Sequence, residues 1–265
     1  MLKKMTVIMS LAFLLLLTAC SGAADTKTEN GESSKEQKTL RAGSTAQSYP
    51  NGYEENGKLV GFDVEVFEKI AGNLGYQVEW VKSDFAGLMG QLETKKIDTV
   101  ANFVAVTEER KDKYQFSEPY AYAGATIVTH KDNAYDSLDD LKGKTVSGVL
   151  GSNNVKNLEA FDPDIIPKTY ENRDGAMNDA INKRVDGYVN SKSSLIAEIE
   201  KGDLPLKFVG EPFVYEDVAF PFLKSEEGEA LAEAFNAEIE KLREDGTLTE
   251  ISKKYFAGED ITVKE

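Results

Sequence analysis

The sequence predicts an α/β protein of two lobes, and three observations carry that expectation. Short apolar stretches of strand character alternate with segments whose apolar residues recur at helical spacing. The part from Thr39 to Glu265 is long for a single compact core. The chain's one cysteine, Cys20, precedes that part, so no internal disulfide is available and stability must come from packing.

Leu40 to Thr45 reads as the first strand. After Gly61-Phe62-Asp63, with Asp63 available as N-cap, Phe67, Ile70, Ala71 and Leu74 recur at i, i+3, i+4 and i+7, and Gly75 ends the helix. Tyr76 to Val81 alternates as a strand, Phe85, Leu88, Met89 and Leu92 repeat the helical spacing, and Ile97 to Val104 reads as an apolar strand. A second set follows Ile127-Val128-Thr129: a strand from Thr145 to Leu150, a polar turn Gly151-Ser152-Asn153-Asn154, and a short helix from Val155 to Phe161. Met177 and Ile181 mark another helix, Val185 to Val189 another strand, and Leu195, Ile196 and Ile199 a further helix. The strongest helix is C-terminal, with Leu231, Phe235, Ile239 and Leu242 on one face and Gly246 as C-cap. Strands alternating with helices define the α/β class.

The N-terminus reads as targeting sequence. Lys3 and Lys4 precede an apolar run, Met5 to Leu17, that ends in Leu17-Thr18-Ala19-Cys20. A basic start, an apolar run short for a membrane span and small residues before a cysteine form the pattern of a bacterial lipoprotein signal over 1–19. Cys20 is then expected to be diacylated, holding the protein on the outer face of the cell membrane, Gram-positive fashion. Residues 20–38 carry almost no large apolar side chain and read as a flexible tether. With 31 basic against 46 acidic residues, nucleic acid is excluded as a partner, and the anchoring is left to the lipid.

Catalytic and metal chemistry find little material. A single histidine, His130, and a single cysteine rule out Ser-His, Cys-His and multi-histidine metal arrangements, so neither metal nor cofactor is expected. Neither a Gly-x-Gly-x-x-Gly nor a P-loop sequence occurs. The adjacent acids Asp139-Asp140 are ordinary at a helix start.

The run Gly-Phe-Asp-Val-Glu-Val at 61–66, then Asp84-Phe85-Ala86-Gly87-Leu88, Lys96-Ile97-Asp98, Thr107-Glu108-Glu109-Arg110 and Phe116-Ser117-Glu118-Pro119-Tyr120, resembles the polar amino-acid substrate-binding proteins of ABC importers, solute-binding protein family 3. Arg184-Val185-Asp186-Gly187 and the ending Leu242 to Leu248 and Lys254-Tyr255-Phe256 continue the resemblance over nearly the whole chain. Tyr188 to Ser191 and Val218 to Phe222 look most like the L-cystine-binding branch of Firmicutes.

The resemblance implies a periplasmic-binding-protein-like type II fold, two α/β lobes joined by two hinge strands. Lobe 1 would comprise 39–128 plus 217–265 and lobe 2 residues 129–216, with hinges near Val128 to His130 and Tyr215 to Ala219. It implies a monomeric, non-enzymatic receptor for a polar amino acid, cystine first, working with an ABC permease and an ATPase. Binding another amino acid, a lytic or dehydratase enzyme on the same fold, and an adhesin or signalling lipoprotein stay open as alternatives. The implied contacts are Arg110 on the ligand carboxylate, whose planar fork suits it, with the backbone at Phe103 and Ala105 beside it. The turn Ser152, Asn153 and Asn154 would serve as a helix-start anion site, and Tyr49, Tyr53, Phe85 and Phe103 as aromatic walls. Asn190 and Ser191 stand where relatives place the aspartate that meets the ligand ammonium; either another carboxylate such as Glu216 or Glu118 compensates, or the carbonyls of lobe 1 and Asn190 suffice, or the ligand is not a simple α-amino acid.

Overall fold

The computed structural model describes residues 38–264. The expected signal segment and Cys20 lie outside them, and Lys38, read as the end of the tether, already opens the first strand. β1 (Lys38–Ser44) leads into an antiparallel sheet of β2 (Gln47–Ser48), β3 (Gly52–Glu55) and β4 (Lys58–Val60), followed by α1 (Phe62–Asn73), β5 (Tyr76–Lys82), α2 (Phe85–Glu93) and β6 (Thr99–Val100). β1 is the centre of a parallel sheet, with Lys38 opposite Tyr76 of β5 and Ala42 opposite Thr99 of β6.

The apolar stripe of α1 is buried as its spacing requires, Val66, Phe67, Ile70 and Ala71 all facing the core. Its N-cap, however, is Gly61 rather than Asp63. Gly61 sits at φ 134°, and a Cβ there would lie 2.3 Å from the carbonyl oxygen of Asn51, so only glycine allows this entry to the helix. Asp63 lies in the first turn, fully buried, accepting a 2.7 Å hydrogen bond from the Tyr120 hydroxyl. The apolar run Ile97 to Val104 forms only the two-residue β6, because the backbone turns through the left-handed region at Phe103 (φ 53°) before Ala105 bridges Val218.

After α3 (Glu108–Lys113) and β7 (Tyr114–Phe116) the chain runs along β8 (Ala121–His130) into a second lobe. There β9 (Thr145–Val149), α4 (Asn153–Phe161), β10 (Ile166–Tyr170), α5 (Arg173–Ile181), β11 (Gly187–Ser191), α6 (Lys192–Gly202) and β12 (Leu206–Val218) build a five-stranded sheet of order β10-β9-β11-β8-β12. β9, β10 and β11 are parallel, and β8 and β12 antiparallel, as strand-helix-strand crossovers and a return strand dictate. The chain then returns: β13 (Pro221–Leu223) pairs with β7, and α7 (Glu226–Glu244) and α8 (Thr247–Tyr255) follow. α7 buries Phe235, Ile239 and Leu242 against α1, and Gly246, one residue past its C-cap Asp245, takes the left-handed conformation expected there.

The result is two α/β lobes joined by β8 and β12. Ala121, Ala123 and Val218 belong to the first lobe's core, with Phe62, Phe67 and Phe220. Ile127 and Val128 belong to the second lobe, packed on Leu141, Val146, Ala176 and Tyr188. The outward crossing therefore falls between Ala123 and Ile127, earlier than the hinge expected at 128–130, where side chains are already locked into the second sheet. His130 lies beyond it, at the far end of β8. The return crossing lies between Val209 and Val218, where the β8–β12 register shifts.

Candidate ligand-binding cleft

A cavity of about 220 Å³ lies between the lobes. Phe85, Phe103, Ala105 and Arg110 line it from the first lobe, and Ser152, Asn153, Asn154, Asn190 and Ser191 from the second. Residues distant in sequence thus meet in one site. Tyr49 and Tyr53 do not line it: their rings pack edge to face with centroids 4.9 Å apart, and Lys201 of α6 sits 3.8 Å from the Tyr49 centroid. The chain turns at Tyr49, so Thr45, Gln47 and Ser48 face the cavity in their place.

Arg110 is placed by α3. Thr107 caps that helix, its hydroxyl accepting from the Arg110 amide at 3.2 Å. The guanidinium extends out of the helix, with Nη1 donating to Ala105 O at 2.8 Å and Nη2 reaching Gly151 O of the other lobe at 3.4 Å. Its Cζ lies 5.5 Å from the Phe85 ring centroid, a cation-π contact that flattens the fork against an apolar wall. Burial pulls the Arg110 pKa down while Glu216 acts the other way; an arginine nonetheless stays charged. A largely buried, permanently cationic fork in a cleft is suited to a carboxylate.

The loop carrying Phe103 and Ala105 rests on Asp63. Burial raises the Asp63 carboxyl to about 7, against the Tyr120 hydroxyl and the Phe103 backbone, which favour its ionised form. This polar group beneath an aromatic core braces a backbone held at positive φ.

On the facing lobe Ser152 is the N-cap of α4, yet its side chain makes no capping bond, and its Oγ is buried without a partner among the described residues. That hydroxyl and the first-turn amides of a nine-residue helix form a donor set for an anion. Gly151 precedes it at φ 76°, where a Cβ would stand 3.5 Å from Ala86 Cβ of the first lobe, so the lobes meet closely at this point. Asn153 Nδ2 donates to Glu216 Oε1 and to Asn157 Oδ1, and Asn154 Nδ2 to Asn190 Oδ1 at 3.3 Å.

Asn190 and Ser191 are engaged within the protein. Asn190 Oδ1 also accepts from the Ser191 amide at 2.9 Å, its Nδ2 donates to the Tyr188 hydroxyl at 3.0 Å, and the Ser191 and Ser194 hydroxyls are 2.8 Å apart. Of the two carboxylates considered as substitutes, Glu216 lines the cavity, and Glu118 is exposed outside its lining, its amide on Asn236. Thr45 and Asn102, joined by a 2.9 Å bond from Thr45 N to Asn102 Oδ1, and Arg173 also line the cavity. No residue pattern singles them out in the sequence. Away from the cleft, Asp140 accepts from the Ser137 amide and hydroxyl in a capping box, so the Asp139-Asp140 pair is structural.

Residues 40–258 match the profile of the bacterial extracellular solute-binding proteins, family 3. The chain belongs to that family. Relatives of this family 3 solute-binding protein include the "Probable amino-acid-binding protein YxeM" of Bacillus subtilis, 51% identical over 266 aligned positions covering 99% of this chain and 98% of the relative. The L-cystine-binding protein TcyJ of Escherichia coli is 32% identical over 231 positions, 86% of each chain. Among solved structures, an ancestral arginine-binding protein bound to glutamine superposes with a TM-score of 0.76 at 37% identity, covering 82% of this chain and 97% of that one. The fold is therefore the periplasmic-binding-protein-like arrangement of two α/β lobes that the sequence predicts.

Proposed function

We propose that this chain is the amino-acid receptor of an ABC importer, capturing its ligand between the lobes and presenting it to a permease that an ATPase drives. The observation that carries this reading is the convergence of Arg110 from one lobe and the Ser152 turn at the start of α4 from the other on a single cavity. A carboxylate between them receives a planar cationic fork, an otherwise unpartnered hydroxyl and helix-start amides. Glu216 supplies a negative charge within reach of the same space, suited to an ammonium. A small zwitterion loses most of its water on binding, and two lobes that close over it replace that water with fixed donors and acceptors.

Relatives named as amino-acid-binding, L-cystine-binding and arginine-binding support the ligand class. Cystine is the first candidate: its soft disulfide suits the aromatic enclosure of Phe85 and Phe103. Cys20 is the point of lipid attachment in this reading, fixing the receptor to the outer face of the membrane. The test is a thermal-shift screen of the purified protein against all amino acids and cystine, followed by calorimetry. A selective rise in midpoint, abolished in Arg110→Ala, is the expected result; no shift with any amino acid would remove the transport reading.

A further inference from the structure

The cleft contains a second arginine that a simple amino acid would leave unused. Arg173 opens α5 on the second lobe, next to Asn172, whose Oδ1 caps the helix by accepting from Gly175 N at 2.8 Å. Arg173 lines the same cavity as Arg110, and its side chain is only 11% exposed. Nη1 donates to the Tyr49 carbonyl across the lobes at 2.7 Å and stands 3.2 Å from Glu198 Oε1. Nε has no partner.

A self-sufficient buried ion pair would satisfy both partners, because a polar atom taken out of water without a partner is costly. Here both partners fall short. Among the described residues Glu198, 4% exposed, leaves Oε2 without a partner while Arg173 leaves Nε. Burial also raises the Glu198 carboxyl to about 7 despite the attraction of Arg173, and the neighbouring buried Asp63 likewise.

The anions facing the cavity are unevenly placed. Glu216 is half-buried on β12, whereas Asp84 and Glu171 are exposed at the rim. A ligand with one carboxylate and one ammonium would pair with Arg110 and Glu216 and bring no group to Arg173, whose Nε is the atom left over by Glu198 and Tyr49 among the described residues. Resting on the amino-acid-binding function, we propose that Arg173 is a specificity-determining residue that receives a second carboxylate, so that the ligand class is dicarboxylic amino acids, cystine included.

The test is calorimetry on matched pairs that differ at the second carboxylate: cystine against the mixed disulfide of cysteine and cysteamine, glutamate against glutamine, and 2-aminoadipate against norleucine, with lysine and arginine as cationic probes. The wild-type protein should bind the dicarboxylic member of at least one pair at least about tenfold tighter than its counterpart. Arg173→Gln combined with Glu198→Gln, which removes both buried charges together, should bring that ratio close to one, the dicarboxylic member losing at least about fivefold more than its counterpart. Arg173→Lys, which keeps the charge but not the fork, should lower the ratio by less. Equal wild-type affinities within every pair, preference for lysine or arginine, or an equal loss for both members of a pair in the double variant would each overturn the proposal and leave amino-acid binding intact. The wild-type ratios decide the matter even if a variant fails to fold. If no amino acid binds at all, the receptor function itself falls, and this inference with it.

Discussion

Asp63→Asn should flatten the pH dependence of stability between pH 4 and 8. The native carboxyl titrates at about 7 instead of 3.8, chiefly because it is fully buried. In the unfolded chain it ionises near its ordinary value. Between those two values the native state holds a proton that the unfolded state has released, so stability falls as pH rises through the window and levels off above it. A rise of about three units corresponds to about 4 kcal/mol across the window. Asparagine retains an oxygen to accept from the Tyr120 hydroxyl but has nothing to titrate. Glu198 is raised in the same direction and contributes the same sign, so the informative quantity is the difference between wild type and variant. Urea unfolding at pH 5, 6, 7 and 8 measures it. Over that series the wild type should lose about 2.5 kcal/mol relative to the variant, the part of the window that lies above pH 5, and any constant offset from altered bonding at Phe103 cancels. Parallel profiles would refute the claim that Asp63 is folded in its protonated form at acid pH and strained in its ionised form above it.

Arg110→Ala should weaken binding of any amino-acid ligand by about a hundredfold, the loss of a charge-assisted fork worth about 3 kcal/mol, read by calorimetry. Ser152→Ala separates function from stability: because Oγ has no partner among the described residues, its removal should leave the unfolding midpoint unchanged while weakening the ligand about fivefold. Gly61→Ala should destabilise by 2 kcal/mol or more, roughly, because φ 134° disfavours a side chain and the Asn51 carbonyl oxygen lies 2.3 Å from the new Cβ. A denaturant midpoint equal to wild type would contradict that account.

Much of the architecture is legible in the order of residues. α1, α2 and α7 announce themselves because their apolar residues recur at the helical period, and the same residues, Phe67, Ile70, Leu88, Leu92, Phe235 and Ile239, are the ones that pack. Ile97 to Val104 misled because apolar character alone does not distinguish a ladder strand from a buried loop. The chain leaves the sheet after Val100 and turns at Phe103. Tyr49 and Tyr53 misled for a related reason: a ring at a loop position has no periodicity to fix its direction, and here the rings face Lys201.

By itself the sequence determined the α/β class and the order of elements, which follow from local periodicity and capping, and the family, which short motifs carry; Arg110 and the Ser152 turn were singled out through that resemblance and not by periodicity. Only the tertiary structure decided that Gly61 rather than Asp63 starts α1, that Glu216 and not Glu118 faces the cleft, that the outward crossing lies before Ile127, and that Arg173 joins Arg110 in one cavity. Those outcomes depend on which charges lose their water and which partners they meet, and Arg173 meets Tyr49 from 124 positions away. Burial and convergence at that range are properties of the packed chain, set by long-range contacts rather than by the neighbours of any one residue.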